Sequence, residues 1–389
     1  VALKKARDHW VTDFSDRWIV DILSMDDVLS ASLEWFWFNH FNVFWHKDMV
    51  GVALPNFIEM TIKPYIQGRF RDLLLAVTTH PAMLVYLDNT NNVANKLNEN
   101  LARELLELHT LGVNGGYSQT DILAVARLLT GFGLKPLDEV RYPPNKRYLV
   151  REQGDFLFDP RRHDFSDKII MGKHITGSGY AELEELIDWL TLQPATARHI
   201  ADKMCIWIWG DNPPKAMKDG VAAVFQKSEG DLRKTVATAL TFTSRAGTST
   251  EKSFKSPMQW IFSAMRWLGD GEQLRRPQPV RRWLQQLGQP LFGRTTPDGF
   301  SLRGVDWLSS GQLAQRFFIA REMVDRLPGI WGSDTAKRAL SDARLQEKLG
   351  NISPNTRITI ERASSSRDRL VLLLSSPEFM FRSPGEVSL

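Results

Sequence analysis

The sequence predicts a mostly α-helical fold, organised as a single large helical domain over residues 1–389. In most of the chain, apolar residues recur at the three- and four-residue spacing of amphipathic helices. Residues 136–176 depart from this pattern because they are rich in Pro, Gly and charge and contain short alternating runs. We interpret 136–176 as an insertion of loops and a small β-hairpin within the helical domain, with the hairpin inside 147–158.

The predicted helices follow one another along the whole chain. The first is apolar on nearly every face, as expected of a helix in the middle of a core. Ser118 and Asp121 form a capping-box pattern before the helix 119–130, and Ser256-Pro257 opens another. The predicted spans are 25–46, 56–79 with an interruption at Pro64, 98–112, 119–130, 180–192, 195–209, 216–227, 231–243, 256–268, 280–287, 310–327 and 367–375, with a Ser/Thr/Gly-rich loop at 245–254.

Composition excludes several classes of protein. The chain is 43% hydrophobic and 24% charged, which is ordinary for a globular protein, and it has no run of eighteen apolar residues that would cross a membrane. The net charge is only +4, and the densest basic cluster, 275–282, is interpreted as a solvated linker because no nucleic-acid motif accompanies it. We therefore expect neither a transmembrane segment nor a nucleic-acid partner. The single cysteine, Cys205, excludes a disulfide within the chain.

Common catalytic motifs are also absent. The sequence contains no Gly-x-Gly-x-x-Gly fingerprint, no phosphate-binding P-loop, no Gly-x-Ser-x-Gly elbow and no His-Glu-x-x-His zinc motif. Nucleotide enzymes and serine hydrolases of the α/β type are therefore disfavoured. We expect no cofactor and assign no metal ligands, and the oligomeric state is left open.

Glu104 is the most informative residue of the sequence. In a helix over 98–112, drawn at about 100° per residue, Glu104 falls within an apolar arc that includes Leu101 and Leu105. A carboxylate among leucines needs a partner or a raised pKa. Two hypotheses follow. Glu104 forms a buried ion pair with Arg127 across a helical hairpin, or it is a general acid whose pKa is raised by apolar walls.

Two further candidate sites contain histidine. In the loop around His163 and Asp164, the two side chains could form a proton relay or ligate a metal, although Asp164 could instead cap the next turn. His40 lies in the aromatic helix, and His109 follows Glu104. The alternative for His40 and His109 is a core position with satisfied hydrogen bonds.

Several segments together resemble one known family. Residues 98–112 (Asn-Glu-Asn-Leu-Ala-Arg-Glu-Leu-Leu-Glu-Leu-His-Thr-Leu-Gly), with 115–121 and 126–131, are similar to the large bacterial family of unknown function numbered eighteen hundred. The aromatic helix, 162–164 with Lys168, 256–257, 287–292 and 375–379 extend the resemblance over essentially the whole chain. Phe38 stands where the family often has a second histidine, which weakens a two-histidine metal site.

The resemblance implies an exported bacterial protein that acts on envelope or extracellular polymers. No signal peptide is recognisable in this chain, which begins with Val1 rather than Met. A lost segment could have carried the export signal, so we expect a periplasmic or extracellular location. The expected partner is a polysaccharide or another extracellular polymer.

These observations lead to one principal hypothesis and two alternatives. The principal hypothesis is an enzyme acting on a carbohydrate polymer, a glycoside hydrolase with Glu104 as acid and Glu99, Glu34 or Asp164 as base or nucleophile. The alternatives are a non-catalytic binding or scaffold protein of the cell envelope, and a metal-dependent enzyme using His40, His163 and Asp164. The predicted catalytic residues are Glu104, Glu99, Asp164 and His163, and the predicted substrate-binding residues are His40, His109, Tyr117, Arg127 and Trp37.

Overall fold

Helices make up most of the fold in the computed structural model, which describes residues 2–138, 140–245, 251–350 and 352–387. This confirms the prediction of a mostly α-helical fold. The α-helices in these residues are α1 (Ala2–Ser24), α2 (Val28–His40), α3 (Val50–Asn56), α4 (Phe70–Thr79), α5 (Pro81–Tyr86), α6 (Asn100–Glu104), α7 (Gln119–Leu128), α8 (Pro144–Arg147), α9 (Tyr180–Thr191), α10 (Pro194–Trp209), α11 (Lys215–Lys227), α12 (Leu232–Arg245), α13 (Pro257–Gly269), α14 (Gln278–Gln286), α15 (Ser310–Asp325), α16 (Leu327–Ile330), α17 (Ser333–Ala339), α18 (Asp342–Leu349), α19 (Pro354–Glu361), α20 (Ser366–Leu374) and α21 (Pro377–Met380).

The strands are short and form three small antiparallel sheets. The strands are β1 (Phe132–Leu134), β2 (Arg151–Gln153), β3 (Phe156–Phe158), β4 (Lys168–Ile170), β5 (Lys173–Ile175), β6 (Ser253–Phe254) and β7 (Phe381–Arg382). The predicted hairpin is β2–β3, and β1 pairs with the other edge of β3, so that the first sheet has the order β1-β3-β2. Two further pairs, β4–β5 and β6–β7, were not predicted. Residues 246–250 of the predicted loop 245–254 lie outside the described residues.

The aromatic helix is shorter than predicted. α2 ends at His40, and residues 41–49 are turns and irregular backbone rather than the helix predicted as far as 46. The Asn42 side chain donates to the carbonyl oxygens of Arg294 and Thr296 at 3.1 and 2.9 Å. These contacts anchor the segment to a distant loop, an outcome that apolar periodicity cannot predict. Phe44 and Trp45 consequently lie on a partly exposed segment rather than in the core.

The helix predicted over 98–112 changes geometry midway. α6 ends at Glu104, and Leu105–Thr110 continues it as a π-helix. The Leu111 amide donates to the Leu106 carbonyl at 2.9 Å, which is the bond five residues back that defines a π turn. Because a π turn holds more residues than an α turn, the predicted α-helical spacing is wrong over this half. A second π segment occupies Phe57–Ile62.

The carboxyl-terminal region contains five helices that were not predicted from the sequence, α16 to α19 and α21. α16 to α19 are each eight residues or shorter, so none repeats its apolar spacing often enough to stand out. Of these four, only α19 has a side-chain cap, in which the Ser353 hydroxyl accepts from the Thr356 amide. Longer predicted helices agree with the structure to within a few residues, including α9, α10 and α20.

One hydrophobic cluster connects the elements. It extends from α1 to α21 and includes the rings of Trp37, Trp260 and Trp283, all with no exposed surface. Phe38 packs in the same cluster, with its ring centroid 5.0 Å from that of Phe292. No helix among the described residues is both long enough and apolar enough to cross a bilayer.

Candidate functional site

Buried asparagines set the position of α6. Asn92 has no exposed surface, accepts a hydrogen bond from the Asn98 amide at 2.9 Å and donates to the Ala126 carbonyl at 2.8 Å. Asn89, also fully buried, donates to the Leu129 and Phe132 carbonyls. These side chains tie the segment before α6 to the end of α7, and they fix where Glu104 emerges. The sequence analysis missed both residues.

Glu104 opens onto a cleft of about 460 Å³. A cleft of this volume is within the range of small-molecule sites. The other walls come from three parts of the chain, the segment after α2, the end of α5 and the loop at 295–297. Besides Glu104, the cleft is lined among others by Phe44, Lys47, Tyr86, Asn100 and Thr295.

The polar walls of the cleft are held by defined contacts. The Lys47 ammonium lies 2.8 Å from an Asp88 carboxylate oxygen and donates to the Tyr86 carbonyl at 2.6 Å. The Tyr86 hydroxyl donates to the Thr295 carbonyl at 2.9 Å. Burial raises the pKa of Tyr86 above its usual value, and the nearby charge of Glu104 adds to that rise. Tyr86 is therefore a neutral hydroxyl beside the cleft at physiological pH.

Glu104 has the pKa of a general acid. The pKa of Glu104 is raised to about 7, chiefly by burial and also by the neighbouring charges of Glu107 and Asp298, against the opposing charge of Arg103. No ion pair of Glu104 occurs among the described residues. The carboxyl is therefore poised to hold and release a proton near neutral pH.

Asp298 has the opposite protonation behaviour. Partial burial raises its pKa, but hydrogen bonds from Arg294 and Thr296 outweigh this, and the net pKa of Asp298 lies below its ordinary value. The Arg294 guanidinium reaches it at 2.9 Å, and the Thr296 hydroxyl donates to it at 2.5 Å. Asp298 is thus ionised when Glu104 is protonated. Asp298 was not predicted from the sequence, because it lies in a polar loop that contains no recognisable motif.

Three histidines and a lysine form a second polar cluster, in which His40 and His109 are buried, His199 and Lys203 are half-buried, and Lys203 feels the charge of Asp298. The ring centroid of His40 lies 6.2 Å from that of His109 and 6.1 Å from that of His199. Burial lowers the pKa of His109 to about 3 and that of His199 to about 4, and it also depresses the pKa of His40. The charge of Lys203 pushes in the same direction in all three cases. The histidines are therefore neutral.

Polar atoms of this cluster lack partners. Neither ring nitrogen of His109 has a hydrogen bond among the described residues, and His40 uses only Nε2, 3.2 Å from the His109 carbonyl. Burial lowers the pKa of Lys203 to about 8, while the charge of Asp298 opposes that fall. His40 and His109 were predicted as substrate-binding residues, but both are buried. His199 and Lys203, on the largely apolar α10, were not predicted.

The remaining predicted residues near α6 lie on its surface side. Glu99 is 3.3 Å from Arg103 and accepts from Gln119 at 2.6 Å, and its side chain is 41% exposed. Tyr117 is partly buried, and burial raises its pKa, with Glu107 and Glu104 adding to the shift. Tyr117 is thus near the Glu104 region, whereas Glu99 belongs to a surface hydrogen-bond group.

The predicted ion pair between Glu104 and Arg127 is wrong. Arg127 lies 3.7 Å from the Asp164 carboxylate and donates to the Asp167 carbonyl at 3.1 Å. Asp164 also accepts from the amide and hydroxyl of Ser166, so it closes its own turn. Partial burial raises the pKa of Asp164, yet the Ser166 bonds dominate and the net pKa is lowered. Arg127 and Asp164 therefore brace the insertion, apart from the Glu104 cleft.

His163 belongs to a buried structural network. Its Nε2 lies 2.9 Å from Glu182, and its Nδ1 lies 2.8 Å from the Thr130 carbonyl. Lys168 reaches the second Glu182 oxygen at 2.5 Å, and all three side chains are fully buried. Glu182 also accepts from the Gly179 amide at 2.7 Å, which caps the start of α9. This network fastens the insertion to α9.

Two other predicted residues point into the core. Glu34 is buried and accepts a hydrogen bond from the Trp18 indole at 2.6 Å, and burial raises the pKa of Glu34. Trp37 has no exposed surface, and its indole donates to the Ile66 carbonyl. Neither lines the Glu104 cleft.

The three residues of the metal hypothesis are not brought together. His40 packs beside His109 and His199, whereas both nitrogens of His163 are occupied by Glu182 and Thr130. In the part of the chain that the structure describes, no group of three or more His, Cys, Asp or Glu is arranged to hold a metal ion.

Comparison with known families agrees with the sequence resemblance. The family described as "Protein of unknown function (DUF1800)" matches residues 2–381, nearly the whole chain. The chain belongs to the DUF1800 family. No curated protein and no solved structure matches this DUF1800 chain. Within this chain, the Glu104 cleft combines an accessible space with a carboxyl that can exchange a proton near neutral pH.

Proposed function

We propose that this DUF1800 protein is an exported hydrolase of a carbohydrate polymer and that it uses carboxylate acid–base chemistry. The observation that carries the proposal is the pair Glu104 and Asp298. Glu104 lines a cleft with a pKa of about 7, while Asp298, whose charge acts on it, has a lowered pKa. Carboxyl groups whose environments separate their pKa values are a general sign of assigned acid and base roles.

The two carboxyls would divide the work of breaking a glycosidic bond. Protonated Glu104 donates its proton to the leaving oxygen as the bond to the sugar carbon breaks. Ionised Asp298 stabilises the positive charge that develops on the sugar ring and takes a proton from the water whose oxygen bonds to the sugar carbon, so that the leaving group departs as an alcohol and the sugar gains a hydroxyl. Asp298 thus takes the place for which Glu99, Glu34 and Asp164 were predicted.

The rest of the cleft suits a sugar. Phe44 offers an apolar aromatic face, and the polar side chains of Asn100 and Lys47 offer hydrogen-bond donors. This mixture of an apolar face and a few polar groups is typical of small-molecule sites. Export is proposed with the substrate class, since such polymers lie outside the cytoplasm.

The test is a screen of polysaccharides with the wild type and three variants. We expect release of reducing ends by the wild type, and a loss of at least about a hundredfold in E104Q and D298N, in the range of a general-acid contribution. The control is E59Q, which removes an exposed carboxylate from the other π segment, where Glu59 pairs with Lys63 at 3.5 Å.

The outcomes separate the hypotheses. Equal activity in folded E104Q would remove Glu104 from the mechanism. Binding of a polysaccharide without hydrolysis by the wild type would favour the non-catalytic binding protein instead. Circular dichroism and thermal unfolding of each variant show whether a loss of activity is a loss of fold.

A further inference from the structure

A second cleft, of about 220 Å³, adjoins the first. It lies between α1 and α14 and is bordered by Phe44, Trp45 and His46. Phe44 lines both clefts. His46 and Gly293 line the second cleft, and their near neighbours in the chain, Lys47 and Thr295, line the first. The same two segments therefore form walls of both clefts, and the two spaces are successive compartments of one groove.

The second cleft offers hydrogen-bonding groups that the fold does not use. The side chains of Thr12 and Gln285 line it, as does the exposed imidazole of His46. Among the described residues, none of these three side chains has a hydrogen bond. A hydroxyl, an amide and an imidazole can each donate and accept, which suits the paired donor and acceptor character of sugar hydroxyls.

An aromatic surface accompanies these polar groups. The rings of Trp45 and His46 are stacked, with centroids 3.4 Å apart, and Phe44 lies 5.4 Å from His46. Burial lowers the pKa of His46, so the imidazole is neutral at physiological pH. The Arg7 guanidinium lies 5.8 Å from the Trp45 ring centroid and is paired with Asp8 at 2.9 Å. A flat aromatic surface without an uncompensated charge suits the apolar face of a sugar ring.

The charges along the groove are compensated. The Arg281 guanidinium in the second cleft lies 2.9 Å from Asp16, and the Lys47 ammonium in the first lies 2.8 Å from Asp88. Each cation therefore already has its counterion. A polymer with a carboxylate or sulfate on every unit would have to compete with these pairs, whereas a neutral one would not.

We infer that the second cleft is a subsite for the next unit of a neutral, hydroxyl-rich polymer whose reacting bond lies in the first cleft. This inference rests on the proposed function, because it takes the first cleft as the place where a polymer is cleaved. It adds where the next unit of that polymer binds and that the polymer is neutral. Gln285 and Thr12 recognise hydroxyls in the subsite, and Phe44 separates the two bound units.

The experiment compares Q285A with Q286A. Gln286 neighbours Gln285 on α14 and is exposed, but it does not line the cleft, so Q286A is a matched control. The probes are a disaccharide and a hexasaccharide of β-1,4-linked glucose and of β-1,4-linked N-acetylglucosamine, with an oligomer of uronic acids as the charged counterpart. Binding is measured by calorimetry in the E104Q background, and hydrolysis is measured separately in the wild-type background.

We expect a neutral hexasaccharide to bind more tightly than the disaccharide and than the charged oligomer. Q285A should lose roughly two- to tenfold of the hexasaccharide affinity, the range for one hydrogen bond, with little change for the disaccharide. T12V should act in the same direction, and Q286A should match its parent. Preference for the charged oligomer, or equal loss in Q286A, would overturn the inference.

Failure of the subsite and failure of the proposed function give different results. Hydrolysis without any dependence on chain length or on Gln285 would refute the subsite and leave the chemistry standing. Length-dependent binding that needs Gln285, with no hydrolysis by the wild type, would refute the chemistry and leave the subsite standing. Absence of binding to every probe would refute the subsite as well.

Discussion

Glu104 and Asp298 interact electrostatically although they are far apart in the chain: burial and Glu107 raise the pKa of Glu104 most, and the negative charge of Asp298 adds to that rise. Asp298 itself stays ionised because Arg294 and Thr296 donate to it. The same charge also raises the pKa of Tyr86 and counteracts the fall in the pKa of Lys203. The charge of Asp298 thus acts on Glu104, Tyr86 and Lys203, and its removal should be felt at all three.

Replacing Asp298 by Asn should lower the pKa of Glu104 below 7. The change removes one charge that disfavours the ionised form of Glu104, and we expect a fall of about half to one pH unit for a partly exposed pair. NMR titration of the Glu104 carboxyl measures this directly. An unchanged pKa would show that burial and Glu107 alone determine the protonation of Glu104.

Glu104 should make the protein less stable as the pH rises. Its pKa is raised from 4.5 to about 7 in the folded state, so folding favours the protonated form and stability falls between these values. Above pH 7, E104Q should be more stable than the wild type by about 1–2 kcal/mol, after allowance for partial exposure. Urea unfolding at pH 4 and pH 8 checks this, and the difference should vanish at the lower pH.

If Glu104 is the general acid, activity should follow the same titration. The wild-type rate should decline as the pH rises through about 7, because the proton that Glu104 donates is lost. The measurement is the pH dependence of kcat/KM on a hydrolysed polymer. A rate that stays constant from pH 5 to pH 9 would contradict this role.

Replacing Lys203 by Met should stabilise the protein at neutral pH. The pKa of Lys203 falls from 10.5 to about 8 on folding, so the charged form is disfavoured and its cost is complete below pH 8. We expect K203M to gain about 1–3 kcal/mol at pH 7, with the gain shrinking as the pH rises from 8 towards 10.5.

The matched control is K218M on α11, where Lys218 lies 3.4 Å from Asp202 and is 38% exposed. That change should alter the free energy of unfolding by less than about 0.5 kcal/mol. Destabilisation by K203M at pH 7 would instead indicate that the ammonium has a favourable interaction in the cluster. Thermal unfolding at pH 7 and pH 10 distinguishes the two results.

Breaking the His163–Glu182–Lys168 network should be costly. E182Q removes the charge that the buried Lys168 ammonium faces and to which the His163 imidazole is hydrogen-bonded, and we expect a loss of about 3–5 kcal/mol. The control is E185Q on the same helix, since Glu185 forms an exposed pair with Lys173 at 2.6 Å and such pairs contribute about 1 kcal/mol or less. Equal effects of the two changes in urea unfolding would contradict a structural role for the network.

The pH dependence of this network has the opposite sign from that of Glu104. Burial raises the pKa of Glu182, but bonds from His163 and Lys168 outweigh it and the net pKa is lowered. Its stabilisation is therefore complete above the unfolded-state pKa and is lost as the pH falls through the folded-state pKa. The wild type should lose this contribution in acid, and E182Q should lack that part of the acid dependence.

Local patterns were sufficient for most of the helices and for one carboxyl with a raised pKa. Capping residues and apolar spacing predicted α7 and α13, because helix caps and amphipathic faces are written in neighbouring residues. Glu104 was recognised because a carboxyl among leucines is costly wherever the helix packs. The pairing of Arg127 was wrong because its partner, Asp164, lies in the insertion rather than on the adjacent helix.

By itself the sequence determined the helical fold class, the place of the β-hairpin and the unusual position of Glu104 among leucines, since each follows from residues close together in the chain. Only the tertiary structure decided which residues surround Glu104. Lys47, Tyr86 and Asp298 meet near it because side-chain bonds such as those of Asn42 and Asn92 join distant segments. The π turn after Glu104 likewise places His109 in the core. The sequence could not reveal this, because a change in hydrogen-bond register leaves no periodic signal.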